Sequence, residues 1–68
     1  ATPKRARPSE LARVEAEIAA LETEIARLEA RLAEDWGDVE TLSAHRRARD
    51  ELDALLPRWE RLFEKAQA

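Results

Sequence analysis

Leu11, Val14, Ile18, Leu21, Ile25, Leu28 and Leu32 follow one another in steps that alternate three and four residues without a miss. No other feature of the chain restricts its fold as much. A half-buried strand alternates every second residue, and no period of two runs here. A spacing that averages 3.5 residues lays one apolar row along one side of an α-helix, the a/d seam of a coiled coil. Such a row needs a second helix against it. Ala12, Ala19, Ala26 and Ala33 share one outer position of the same heptads and simply favour helix.

Punctuation sets where that helix starts and stops. Ser9 is a good N-cap, and Glu10 puts negative charge on the first turn. The pattern ends at "EDWGD", where Gly37 is expected to take the left-handed conformation that closes a helix and Asp38 to cap the next one. A second helix is expected from about Val39. Its apolar stripe reads Leu42, Ala48, Leu52, Leu55, Leu56, Trp59, Leu62, Phe63 and Ala66, with His45 on the stripe and Arg49 at its edge. Pro57 lacks a donor and crowds the carbonyl of Asp53, so a kink or a new helix is expected there. Two amphipathic helices joined by so short a loop lie antiparallel. The expected fold is all-α: an antiparallel two-helix coiled-coil hairpin over 9–68, with helices about 9–36 and 39–66. A basic linker, 1–8, precedes it.

The register has two solutions. A tight turn at Gly37 sets Val14 near Trp59, so that Trp59 and Phe63 close the open end. A register one heptad away pairs Glu17 with Lys65, Glu24 with Arg58, Arg31 with Glu51 and Glu29 with Arg49. Exposed ion pairs contribute only about 0.2–1 kcal/mol each, whereas connectivity is a hard constraint, so the tight turn is preferred. Glu10, Glu15, Glu17, Glu22, Glu24 and Glu29 flank the first seam, and Arg49, Arg58 and Lys65 the second. Unlike flanks favour pairing within one chain, and a monomeric hairpin is expected.

Several function classes fall away. The chain has no cysteine, so it has neither disulfides nor thiolate ligands, and its one histidine, His45, builds no metal cluster alone. His45 has no Ser or Cys nucleophile in an apparent triad, and no Gly-rich loop cradles phosphate. Catalysis and a bound cofactor are therefore not expected of this chain. No run approaches the ~18 apolar residues of a membrane span and no signal peptide is visible, which makes the cytoplasm the expected compartment.

Basic residues carry the only partner signal. The segment 1–8 holds Lys4, Arg5 and Arg7 and no acid, while the whole chain carries −3. "HRRAR" supplies Arg46, Arg47 and Arg49, and Arg58, Arg61 and Lys65 follow at spacings of three and four, a stripe on one face. Such residues could hold phosphates with little base readout. The competing reading is a solvated, salt-bridged helix face.

The stretch "LARVEAEIAALETEIARLEARLAED", a short loop, and then "LDALLPRWERLFE" resembles the C-terminal domain of ABC-F ATPases of the Uup-like type. The returning helix of that domain ends in an RWxxLE-like signature, here Arg58-Trp59-Glu60-Arg61-Leu62-Phe63-Glu64. The likeness runs from about Ser9 to Glu64. It implies an accessory hairpin attached to two ATP-binding cassettes, which would carry the ATP and magnesium outside this chain. It also implies nucleic-acid binding, to DNA or ribosomal RNA, with segment 1–8 as the linker from the second cassette. The alternative is a structural coiled coil that docks its own cassettes or dimerises, without binding nucleic acid. The coiled-coil arm of valyl-tRNA synthetases shares the acidic heptads, but its Phe-, Val- and Ala-Pro-rich loop has no counterpart here.

Overall fold

The computed structural model describes residues 9–67. Two helices, α1 over Glu10–Glu34 and α2 over Val39–Gln67, pack against each other, with no strand among the described residues. The fold is the expected all-α hairpin.

α1 begins where Ser9 accepts the Ala12 amide on its Oγ at 3.1 Å. It does not end on a left-handed glycine: no described residue, Gly37 included, has a positive φ. Asp35 ends it instead, at φ −141° and ψ 87°, its amide still donating to the Arg31 carbonyl. The Asp35 carboxylate accepts the Gly37 amide, and its carbonyl accepts the Asp38 amide at 3.2 Å. These side-chain and backbone bonds reverse the chain, so glycine's special backbone freedom is not used.

Asp38 caps α2. Its carboxylate accepts the Thr41 amide at 3.3 Å and the Thr41 hydroxyl at 2.6 Å, and its carbonyl accepts the Leu42 amide. These bonds hold the Asp38 carboxyl below its ordinary value.

α2 runs unbroken through Pro57, so no new helix begins there. Pro57 and Asp53 are both exposed, and water can take the place of the missing donor at the Asp53 carbonyl.

All seven members of the α1 seam turn inward. Val14, Ile25, Leu28 and Leu32 are buried, and Leu11, Ile18 and Leu21 half-buried. Ile25, Leu28 and Ala48 form the centre of the core, with Leu21, Ala44 and Leu52 packed on it. The row on α2 differs from the apolar reading of the sequence. Thr41 is buried and Ala44 half-buried, whereas Leu42, Leu56, Phe63 and Ala66 are exposed. The row that faces α1 is thus Thr41, His45, Ala48, Leu52, Leu55, Trp59 and Leu62, in steps that alternate four and three, with Ala44 beside it.

The tight-turn register holds. Trp59 reaches Glu15, next to Val14, and His45 reaches Glu29. The pairings of the register one heptad away are not formed: Glu29 meets His45, Arg58 meets Glu10, and Glu24 pairs with Arg27 on its own helix. The described residues span 52 × 28 × 14 Å, barely more than one helix thick in the last dimension, so no side chain lies far from water.

Candidate nucleic-acid interface

α2 carries its bases in two groups. Arg46, Arg47 and Arg49 lie in its first third, all exposed. At 100° per residue they fan over roughly 160° of the helix, so they cannot lie on one line. Arg58, Arg61 and Lys65 lie toward the open end, also exposed and on one face. Asp50, Glu51 and Asp53 intervene in the chain. Lys4, Arg5 and Arg7 lie outside the described residues, which join α1 at Ser9, at the end that holds Arg61 and Lys65.

One base of these groups is already engaged. Arg58 donates to the Glu10 carboxylate across the two helices. The hydrogen bond and the charge of Arg58 hold the Glu10 carboxyl below its ordinary value, and Glu10 in turn keeps the Arg58 guanidinium more firmly protonated. Among the described residues, Arg46, Arg47, Arg49, Arg61 and Lys65 enter no ion pair. They are the bases that can meet phosphate without first giving up a partner.

Sequence reasoning missed the polar clasp at this end. The Trp59 Nε1–H donates to Glu15 at 3.0 Å, and the Phe63 ring stacks on Trp59 with centroids 5.0 Å apart and planes 22° apart. Trp59 is half-buried and Phe63 more exposed, so the aromatics cover the open end in part. A tryptophan on the stripe opposite an acidic flank was the available signal. His45 is half-buried, its Nε2 3.1 Å from Glu29. No group of three or more His, Cys, Asp or Glu side chains that could hold a metal occurs among the described residues. No helix there is long and apolar enough to cross a membrane.

Comparison with known family profiles, with curated proteins and with solved structures gives no match for this chain.

Proposed function

We propose that the hairpin is a non-catalytic accessory module, of the kind the ABC-F resemblance implies, and that it contacts the backbone of nucleic acid. The observation that carries this reading is the set of exposed α2 bases without ion-pair partners among the described residues: Arg46, Arg47, Arg49, Arg61 and Lys65. Lys4, Arg5 and Arg7 would add to them from the linker side. Contacts from such residues go to phosphates and carry no base readout. In this reading ATP hydrolysis belongs to adjoining cassettes, and the hairpin positions or retains the nucleic acid. DNA and ribosomal RNA offer the same phosphate chemistry.

Titration of the full chain against fluorescent single- and double-stranded DNA and a structured RNA at two salt concentrations tests the reading. Non-specific binding with Kd about 10⁻⁶–10⁻⁴ M that weakens steeply with salt is expected. Arg46→Glu/Arg47→Glu/Arg49→Glu should remove most of it. Absence of binding at low salt overturns the reading.

A second reading, protein docking, rests on the turn. Trp36 is 76% exposed and Val39 71%. Between Arg31 and Arg46 stand Glu34, Asp35, Asp38 and Glu40 without one Lys or Arg. An acidic tip with bare apolar groups repels phosphate and suits a protein surface. Trp36→Ser should weaken cassette or partner binding and leave DNA titrations unchanged.

A further inference from the structure

A groove lies between the helices on the side that also carries Arg58. Its volume is about 450 Å³, and Ala20, Leu21, Ala54 and Leu55 line it together with Glu17 from α1 and Glu51 from α2. Glu17 and Glu51 are exposed and enter no ion pair among the described residues. Arg58 is near enough for Glu17 to favour its charged form, but its ion pair is with Glu10. Coiled coils ordinarily set unlike charges along their flanks. Here two like charges border a strip of alanine and leucine. An aliphatic stem ending in a cation suits that lining: the stem covers the apolar strip and the head meets the carboxylates.

We propose that this groove is the docking site of the chain's own segment 1–8, held by Lys4, Arg5 or Arg7. Charge and length both argue for this occupant. The segment has three bases and no acid. It joins α1 at Ser9, and Glu17 lies eight residues further on, ~12 Å along the helix. Lys4 lies five residues before Ser9, and five extended residues reach up to ~16–18 Å, enough to turn back and cover that distance. A tethered cation also meets the groove at a millimolar-scale effective concentration, which a free peptide of equal affinity rarely attains. The docking does not rest on the nucleic-acid reading. Where a polyanion binds the chain, it competes with Glu17 and Glu51 for the same three bases.

The test uses the absence of cysteine. A nitroxide on Ala6→Cys of the full chain is the only label and leaves all three bases in place. The amide signals of Ala20, Leu21, Ala54 and Leu55 should lose at least about twice as much intensity as those of Glu22 and Leu56, at similar height on the other side. The difference should vanish in Glu17→Gln/Glu51→Gln and in ~0.5 M salt, where screening is short-ranged. Should the double variant lose helicity, Lys4→Ala/Arg5→Ala/Arg7→Ala, which leaves the hairpin's own contacts intact, must give the same loss of effect. Equal broadening on both sides, or an effect that survives loss of the charges, overturns the proposal. So does the same broadening in a mixture of labelled ¹⁴N chain with unlabelled ¹⁵N chain, which would make the occupant a second copy.

Discussion

Next to the turn, α2 offers α1 the small Thr41, Ala44 and Ala48, with half-buried His45 among them; toward the open end it offers Leu52, Leu55, Trp59 and Leu62. Burial runs against side-chain size. The turn half contains the buried Ile25, Leu28, Leu32, Thr41 and Ala48, and the open half only Val14. Small residues on one helix let the large ones of the other sink between them. Where both helices bring large residues, all but Val14 remain half-exposed, and there the Trp59–Glu15 and Arg58–Glu10 contacts assist. Apolar bulk stabilises a two-helix interface only where the facing row leaves room for it.

The strongest challenge to this contrast is a pair of truncations. Leu28→Ala, at a position only 5% exposed, should cost about 2–5 kcal/mol in urea unfolding. Leu62→Ala should cost less than about half of that; equal costs would abolish the distinction. Ala48→Leu tests the need for a small residue directly, with an expected loss of about 1–3 kcal/mol from overpacking.

The cap that anchors the turn half comes next. Asp38→Ala should lower the melting temperature by roughly 4–8 °C near neutral pH. Its carboxyl titrates below the ordinary 3.8 in the folded chain. The stability it contributes is therefore complete above the ordinary value and is lost as pH falls through the lower, folded one. Glu10, lowered by Arg58, acts in the same direction. Thermal melts from pH 6 to pH 2 should show that acid-side loss shallower in Asp38→Ala.

At the open end, Trp59→Phe keeps a ring for Phe63 and removes the donor to Glu15. Up to about 1 kcal/mol should be lost, with faster amide exchange confined to residues 11–18 and 55–66; faster exchange throughout would show that the ends are not independent. The smallest effect is expected at Gly37. A Cβ there meets only the Asp35 Oδ1 at 3.9 Å, and φ is not positive. Gly37→Ala should be neutral or stabilise by up to about 1 kcal/mol, whereas a left-handed residue would be destabilised.

The first seam was legible because Leu, Ile and Val occupy every a and d position of α1. On α2, residue type misled where the period did not. Stepping back from Ala48 by three and then four gives His45 and Thr41, but Leu42 is more apolar than Thr41. Thr41 can be buried because Asp38 receives its hydroxyl, a contact that hydropathy does not encode. Gly37 was read by habit of type, since an aspartate takes the glycine's role, and at Pro57 the helix continues where a new one was one of two expected outcomes. The register was readable because the turn is short. Of the phosphate-binding residues expected from sequence, Arg58 shows why charge patterns alone under-determine a site: a base is available only if no acid across the seam already holds it.

The reversal within residues 35–38 also governs how such a hairpin can change size. One residue added to or removed from an arm rotates everything beyond it by about 100° and swings its facing row into water. Seven residues restore the phase almost completely, but only if the opposite arm grows by seven as well. Length variants of this architecture should therefore differ by whole heptads inserted in pairs, one on each arm, with the four-residue reversal left untouched.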